Sequence, residues 1–411
     1  MSQPTAHPPR AGRHERGSAG EHQGAAMKNG WQTKALEEVC QFSNGLWKGE
    51  KPPFVNVGVI RNTNFTKEGT LDDSDIAYLD VEAKKLEKRR LQFGYIILEK
   101  SGGVPKQPVG RVALFDKKEG DFSFSNFTAA LRVLDADKLD FRFLHKFLHW
   151  TYLSGVTEGM QSHSTGIRNL DGDAYKAIKI SFPLLPEQQL IVGLLDEAFA
   201  GIATAKANAE KNLQNARALF ESHLQSVFTQ RGPTWVEKSL GETCEMYQPK
   251  TIGTKDLVPD GPYPVFGANG VIGRYDKFNH EEPQLLVTCR GATCGSVNIS
   301  EPNSWITGNA MVVRPLDHSL DLKFLEFVFR GGIDISIAIT GAAQPQITRT
   351  NLSPLLIRFP KSVAEQTKLA EQFESLTEET QHLASLYERK LAALEALKKS
   401  LLHQAFTGEL T

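Results

Sequence analysis

Residues 31–40 read WQTKALEEVC and residues 235–244 read WVEKSLGETC, and this recurrence decides the fold. Trp, Lys, Leu, Glu and Cys return in the same order, each pair 204 positions apart. Five matches in ten positions, a Trp and a Cys among them, are improbable by chance. Repetition over so long an offset indicates a tandem duplication.

A second pair of segments repeats with a shorter offset. The letters FP and then EQ occur at 182–188 and again at 359–366. The later copy has one extra residue between FP and EQ. From EQ onward the two copies are 178 positions apart, up to positions 229 and 407. The two offsets differ by 26, so the first variable segment is about 26 residues longer than the second. We therefore predict a variable segment and a constant segment, each present twice.

Five segments follow from this plan. They are a disordered tail rich in Gly, Ala, His, Pro and Arg, a first globular domain, a first long helix, a second globular domain and a second long helix. Their predicted bounds are 1–30, 31–182, 183–230, 231–358 and 359–411.

The two constant segments have the pattern of long helices. From Leu369 to Leu401 apolar residues alternate at steps of four and three with two polar interruptions, and 361–407 contains neither Pro nor Gly. The earlier copy places Leu190, Leu194 and Leu219 on the same kind of stripe. Such a stripe is typical of a coiled coil. Because the copies match in length, we predict that they pair antiparallel; the alternative is that each packs on its own domain.

The variable segments are predicted to be mixed α/β. Short runs rich in β-formers alternate with Gly, Asn and Pro, and one helix precedes each rod, at 140–153 and at 321–330. The predicted fold class is therefore α/β. Two tandem mixed α/β domains are separated and followed by long helices that pair as an antiparallel coiled coil with pseudo-two-fold symmetry.

Composition excludes several classes of protein. The net charge of −1 means that any nucleic-acid surface must be local, and four cysteines in 411 residues are too few for a disulfide framework. No apolar run spans a bilayer and none resembles a secretory signal, so we expect a cytoplasmic protein without a membrane partner. There is no phosphate-binding loop, and we predict no catalytic residues and no metal site.

Four segments of the second half carry a family resemblance when taken in order. They read PYPVFGANGVIGRYD at 262–276, LLVTCRGATCGSVNI at 285–299, WITGNAMVV at 305–313 and TGAAQPQITRTNLSPLLIRFP at 340–360. This order resembles the target-recognition domain and constant region of type I restriction–modification specificity subunits. The first half follows the same outline through FVNVGVIRN, FGYIILEKSGG, PVGRVALF and SFPLLPEQQ, but departs from it at LEKSGGVPKQPVG.

The resemblance implies a non-catalytic DNA-binding subunit. In that family each globular domain recognises one half of a split target in double-stranded DNA. The helices set the gap and dock two methyltransferase (modification) subunits, which restriction subunits join. It also implies that no cofactor binds this chain, since S-adenosylmethionine, ATP and Mg²⁺ are expected only on the partner subunits.

Candidate DNA-binding residues are side chains that suit base edges or phosphates. Arg suits guanine, Asn and Gln suit adenine, and Lys contacts phosphate. In the second domain the candidates lie in predicted loops: Tyr263, Asn269, Arg274, Arg290, Gln344, Gln346 and Arg349. In the first domain they form a basic run or follow predicted strands: Lys84, Lys85, Lys88, Arg89, Arg90, Arg61, Asn62, Lys106 and Arg111.

Two other functions remain open from the sequence. The same architecture could serve a different bipartite methyltransferase–nuclease system, or it could be a coiled-coil scaffold that binds proteins and no DNA. Steep salt dependence of DNA binding would exclude the scaffold, because each phosphate contact releases counterions.

Deleting seven residues from the first long helix tests its spacer role. A shorter helix should change the gap that the protein accepts between the two DNA words, because seven residues span about 10 Å of helix. The gap is measured by selecting binding sites from a DNA library with the shortened and the full-length protein. An unchanged gap would exclude a spacer role for the helix.

Overall fold

The computed structural model describes residues 30–46, 49–104, 107–164, 167–230, 232–267, 269–341 and 343–411. The chain divides into two compact units, Met1–Lys206 with Ala392–Thr411, and Ala207–Leu391. Apart from Gly30, the predicted disordered tail lies outside the described residues.

The first unit contains twelve described strands and the first five described α-helices. The strands are β1 (Gln32–Ala35), β2 (Cys40–Asn44), β3 (Phe54–Ile60), β4 (Ala77–Glu82), β5 (Ile96–Glu99), β6 (Ser101–Gly103), β7 (Val112–Leu114), β8 (Phe122–Phe124), β9 (Thr128–Val133), β10 (Gln161–Ser164), β11 (Ile167–Leu170) and β12 (Lys179–Phe182). The helices that begin here are α1 (Leu36–Val39), α2 (Ala83–Glu87), α3 (Phe141–Leu153), α4 (Gly172–Lys176) and α5 (Leu185–Gln230). The sheets have the orders β2-β9-β5-β7, β4-β3-β8, β10-β11-β6 and β1-β12.

The second unit repeats most of this plan. Its strands are β13 (Trp235–Ser239), β14 (Cys244–Tyr247), β15 (Tyr263–Gly267), β16 (Gly270–Tyr275), β17 (Leu285–Thr288), β18 (Val297–Ile299), β19 (Trp305–Ile306), β20 (Ala310–Pro315) and β21 (Leu356–Pro360). Its helices are α6 (Leu240–Thr243), α7 (Leu322–Phe327), α8 (Arg349–Leu352) and α9 (Val363–Thr407). The sheets have the orders β14-β20-β17-β18, β16-β15-β19 and β13-β21.

The two units correspond sheet by sheet, which confirms the mixed α/β fold and the duplication. Both contain a four-stranded antiparallel sheet, a two-stranded antiparallel sheet, and a three-stranded sheet with one parallel pair, β3 with β8 and β15 with β19. The β10-β11-β6 sheet has no counterpart among the named strands of the second unit. It accounts for part of the greater length of the first variable segment.

The repeated decapeptide has a structural reason in both units. Leu36 and Leu240 are fully buried at the start of the one-turn helices α1 and α6. In each helix the Glu of the repeat accepts a hydrogen bond from the backbone N–H just before the helix, at 2.6 Å for Glu38 and 2.8 Å for Glu242. This contact satisfies a donor that a helix start leaves free.

The long helices pair antiparallel within each unit. In the first unit Lys206 forms an ion pair with Glu395, with Nζ 2.7 Å from Oε1. In the second, Arg217 contacts Glu388 at 3.0 Å, and the rings of Phe228 and Phe373 stack with centroids 6.0 Å apart. Partner numbers fall along α9 as they rise along α5, so the predicted antiparallel pairing is confirmed.

The predicted apolar stripe on α5 was wrong by one residue at several positions. Leu190, Leu194 and Leu219 are exposed, whereas the residues that follow them lie on the inner face. Ile191, Leu195 and Phe220 pack into the cores of their own units. The ends of the helix therefore pack on the globular core as well as on the partner helix. A coiled-coil pattern predicts only the residues that face the partner helix, so it does not predict those that face the core.

A buried glutamine anchors the start of each long helix. In the first unit the Oε1 of Gln188 accepts from Asp140 N at 2.9 Å, and its Nε2 donates to the carbonyls of Lys138 and Pro183, both at 2.8 Å. Asp140 in turn caps α3. One carboxamide thus joins the end of β12, the start of α5 and the start of α3.

The second unit repeats this arrangement. Gln366 Oε1 accepts from Asp321 N at 2.8 Å, and Nε2 donates to Ser319 O at 2.9 Å and Pro360 O at 2.7 Å. Asp321 caps α7. Both glutamines have no exposed surface, so the EQ repeat of the sequence is explained by packing and hydrogen bonding.

Two buried histidines lie one turn apart on α3. The rings of His145 and His149 are stacked with centroids 6.3 Å apart, and His145 Nε2 donates to Gly69 O at 2.8 Å. Gly69 has a φ of +81°, and a Cβ there would lie 3.0 Å from His149 Nδ1. Burial and Lys146 lower the pKa of His145 to about 4. Burial, His145, Lys398 and Lys146 lower the pKa of His149 to about 3.

Replacing either glutamine by Leu should destabilise the protein. Gln188→Leu and Gln366→Leu each leave one buried N–H and two buried carbonyls without a partner, at a cost of about 3 kcal/mol. Urea unfolding measures the loss. Gln214→Leu, an exposed change on α5, is the control and should stay within about 0.5 kcal/mol of wild type. Equal effects of all three changes would contradict the anchoring role.

Acid should destabilise the first unit through the histidine pair. In the unfolded chain both imidazoles titrate near a pKa of about 6.5, whereas the folded chain keeps them neutral. Below that pH the unfolded state binds more protons, so each histidine costs about 1.4 kcal/mol of stability per pH unit. Urea unfolding at pH 7.5 and pH 5 measures the slope. His149→Leu should flatten it, and exposed His382→Gln should not; equal slopes for both variants would contradict this origin.

Candidate nucleic-acid interface

Three loops of the second unit meet at the carboxyl end of β17. The first is the β15–β16 turn, whose Asn269 Oδ1 accepts from Thr288 Oγ1 at 3.3 Å and from Thr293 Oγ1 at 2.7 Å. The second is the segment that follows β17. The third is the 340–347 loop, which pairs with that segment through a bridge between Arg290 and Gln346. Asn269, Arg290 and Gln346 therefore lie in one cluster.

The side chains of this cluster are available for a ligand. Arg290, Gln344 and Gln346 are exposed, and within the described parts of the chain their side chains form no hydrogen bond or ion pair. Backbone bonds hold the loops in place, from Gly291 N to Pro345 O at 3.2 Å and from Ile347 N to Cys289 O at 2.9 Å. A fixed backbone carrying free guanidinium and amide groups is suited to the edges of DNA bases.

Three other predicted residues of the second unit lie elsewhere. Tyr263 and Arg274 occupy the far end of the β15–β16 hairpin, about 13 Å from its turn at 3.3 Å per residue. Arg274 donates from Nε and from Nη2 to the carbonyls of Gly261 and Pro262, so it supports the hairpin. Arg349 is exposed at the start of α8.

The first unit has an equivalent cluster at the end of β5. Asn62 follows β3 as Asn269 follows β15, and its Nδ2 donates to Glu99 Oε1 at 3.1 Å. Glu99 ends β5 opposite Thr128, just as Thr288 ends β17 opposite Ala310. The structure therefore places the predicted Asn62 and Asn269 at corresponding positions.

Sequence reasoning missed two members of the first cluster. Ser101 and Asn169 occupy the positions of Arg290 and Gln346, in the register of β6 and β11. Ser101 Oγ donates to Asn169 Oδ1 at 2.6 Å. Ser101 and Arg290 are each followed by a glycine with positive φ, +99° at Gly102 and +88° at Gly291. The signal was present, because Asn169 and Gln346 are 177 positions apart, the same offset as the FP repeat.

Arg111 and Arg61 are held by acidic partners. Arg111 forms a two-bond ion pair with Glu99, with Nε–Oε2 at 2.7 Å and Nη2–Oε1 at 2.9 Å, and Glu99 is 1% exposed. Its guanidinium also lies over the Phe65 ring. Arg61 pairs with Asp75 at 2.9 Å. Arg111 and Asn62 line a cavity of about 390 Å³ beside the cluster. Lys106 lies outside the described residues.

The predicted basic run is divided between two environments. Arg89 donates to Asn44 O at 3.1 Å, Arg90 is paired with Asp121, and Lys85 lies 3.9 Å from Glu82. The two remaining cations, on α2 and at its end, are exposed and have no ion pair within the described residues: Lys84 and Lys88. They are suited to contact phosphates.

Metal and membrane sites are not found in the described ranges. No group of three or more His, Cys, Asp or Glu side chains there could hold a metal ion. Nor is any helix among those residues long and apolar enough to span a bilayer. All four cysteines are free, and burial raises the pKa of Cys40 to about 12 and that of Cys244 to about 11.

Comparison with known proteins identifies the family. The model of the type I restriction modification DNA specificity domain matches residues 28–214 and 233–389. These two matches cover most of the sequence and include both loop clusters. The chain therefore belongs to the family of type I restriction–modification DNA specificity domains.

Characterised relatives are distant but similar along much of the chain. The specificity subunit of the type I restriction enzyme EcoprrI from Escherichia coli is 25% identical over 267 residues, which are 60% of this chain and 64% of that protein. The StySPI specificity subunit from Salmonella potsdam is 22% identical over 438 residues, 94% of this chain and 90% of that protein. This chain thus spans less than two thirds of the first relative and most of the second.

Solved structures show the same fold. A chain described with the complex assembly and conformational transition of the type I R-M system superposes with a TM-score of 0.76 at 18% identity, covering 94% of this chain and 100% of that one. The HsdS subunit from Thermoanaerobacter tengcongensis gives a TM-score of 0.60 at 18% identity, covering 94% of this chain and 99% of that one.

Proposed function

We propose that this chain is a DNA-sequence specificity subunit in which each unit recognises one half of a split target. One observation supports the proposal: corresponding backbone positions of the two units bear different polar side chains. Ser101 and Asn169 in the first unit stand where Arg290 and Gln346 stand in the second. A common frame with different side chains is what two different DNA words require.

The proposed contacts divide into two kinds. Arg290, Gln346 and Asn169 would contact base edges, which carry sequence information. Lys84 and Lys88 would contact phosphates, which position the protein without specifying sequence. Arg111, Arg274, Arg89 and Arg90 would act as supports, since each is already engaged by protein groups.

The chemistry of the complex would lie in partner subunits. The chain would dock two methyltransferase subunits on its long helices, and restriction subunits through them. S-adenosylmethionine, ATP and Mg²⁺ would serve reactions on those partners. The family membership and the relatives named as specificity subunits support this division of labour.

Exchanging one loop residue tests whether each unit recognises one word. Arg290→Ala should relax sequence preference at a single position of one half-site, because a two-bond contact from Arg to guanine is worth about 1–3 kcal/mol. Asn169→Ala should affect the other half-site only. Preferences are measured by selection from libraries in which each half-site is randomised in turn, using the complex with its methyltransferase subunits.

Arg389→Ala provides a matched control for the loss of charge. Arg389 is exposed on α9, and its Nε only approaches Ser385 O at 3.4 Å. The control should leave both words unchanged. Equal loss of both words with Arg290→Ala would contradict the proposal, and so would selection of no DNA word by the intact complex, which would favour a protein scaffold.

A further inference from the structure

The first unit contains a cavity that the DNA-binding proposal does not use. Its volume is about 590 Å³, within the range of small-molecule sites. The walls come from the loop that follows β3, the last turn of α3, and the stretches of α5 and α9 that belong to this unit. Its main lining residues are Phe65, His149, Tyr152, Lys206, Lys398 and Lys399.

The lining is strongly basic in a chain whose net charge is −1. Five cations line it, Lys67, Arg111, Lys206, Lys398 and Lys399, against two carboxylates, Glu68 and Glu395. Glu395 pairs with Lys206 and Arg111 pairs with Glu99. Among the described residues no ion pair involves the other three lysines. With Arg111 paired to Glu99, four lysines remain against two carboxylates, so the lining keeps an excess of positive charge.

Lys398 is the most constrained of these lysines. Its ammonium lies 5.3 Å from the centre of the Phe199 ring, and burial lowers its pKa. Glu68 and Glu395 act on this ammonium through space, but no ion pair with it is formed among the described residues. A partly dehydrated ammonium without a direct partner is unfavourable. An anion in the cavity would remove that penalty.

His149 adds a second, independent sign of a missing ligand. The residue is 5% exposed and lines the cavity, yet its Nε2 has no hydrogen-bond partner. Buried polar atoms are nearly always paired, with protein, water or ligand. The ring of this histidine is neutral near pH 7, so an Nε2–H can donate to an acceptor in the cavity.

The second unit shows that the fold does not require these groups. Asp140 and Asp321 cap the corresponding helices α3 and α7. Counted from these caps, His145 corresponds to Glu326 and His149 corresponds to Arg330. In the second unit Glu326 and Arg330 form an ion pair at 2.6 Å. By the helix offset of 178, Lys398 corresponds to Phe220, which packs against Phe327 with centroids 6.3 Å apart. Where the second unit closes its core, the first unit leaves a cavity with unpaired cations.

We propose that this cavity binds a small phosphorylated ligand of nucleotide size. The phosphates lie among Lys67, Lys398 and Lys399 and accept from His149 Nε2, and the ring system lies against Phe65 and Tyr152. A free ligand fits better than a phosphate that is part of a DNA duplex, because His149 is only 5% exposed. Several cations around one space suit a polyphosphate better than a single carboxylate.

Calorimetric titration of the full chain with ATP, without Mg²⁺, tests the proposal. Wild type should bind, and Lys398→Gln should weaken binding roughly ten- to hundred-fold, the worth of one charged hydrogen bond. Lys390→Gln is the control, because Lys390 is an exposed lysine on the same helix and does not line the cavity; this variant should bind like wild type. His149→Leu provides a second variant and should also weaken binding.

Two further titrations distinguish the sources of phosphate. Tripolyphosphate should bind more weakly than ATP; equal binding would remove the role of the aromatic wall. Duplex DNA should not displace ATP; stoichiometric displacement would assign the lysines to DNA and overturn the proposal. Failure of wild type to bind ATP at millimolar concentration, or equal binding by Lys398→Gln, would also overturn it.

Discussion

The buried glutamine at the start of each long helix is the contact on which the rest of the structure depends. A carboxamide is the side chain that satisfies one N–H donor and two carbonyl acceptors at once. Gln188 and Gln366 use all three bonds to join a strand end, a helix start and the cap of the domain helix. Because neither glutamine is exposed to solvent, these three bonds fix the start of each long helix on its unit.

A fixed joint allows the loops to vary. Both units retain the long helix, the buried glutamine at its start and the four-stranded sheet. The side chains that differ lie at the ends of β5 and β17. Glu99 with Arg111 supports one cluster, whereas Thr288 with Asn269 supports the other. One cluster rests on a charged pair in which Glu99 is buried and Arg111 is partly buried. The other rests on a smaller hydroxyl–amide pair, so the two clusters present different side chains on one frame. Under the proposed function, this separation of frame and loops lets one chain recognise two different DNA words.

Recurrence and periodicity predicted the duplication, the mixed α/β class and the paired helices, because each of these features depends on repeated segments or on the spacing of apolar residues in the sequence. The sequence did not predict that Arg111 and Arg274 are engaged by protein groups, since their partners Glu99 and Gly261 lie 12 and 13 residues away and meet them only when the strands pair. It misplaced Leu190 and Leu194 because the helix packs on two surfaces. Asn169 was missed, although extending the 177 offset backward from Gln346 would have found it.

Mapping of DNA methylation tests the central claim most directly. DNA is sequenced for modified bases from cells that make this chain with the proposed methyltransferase subunit, and from the same cells lacking this gene. We predict a split motif of two short words with a fixed gap that disappears when the gene is deleted. Unchanged methylation, with the complex shown to form, would contradict the account and leave the chain as a scaffold without a role in DNA recognition.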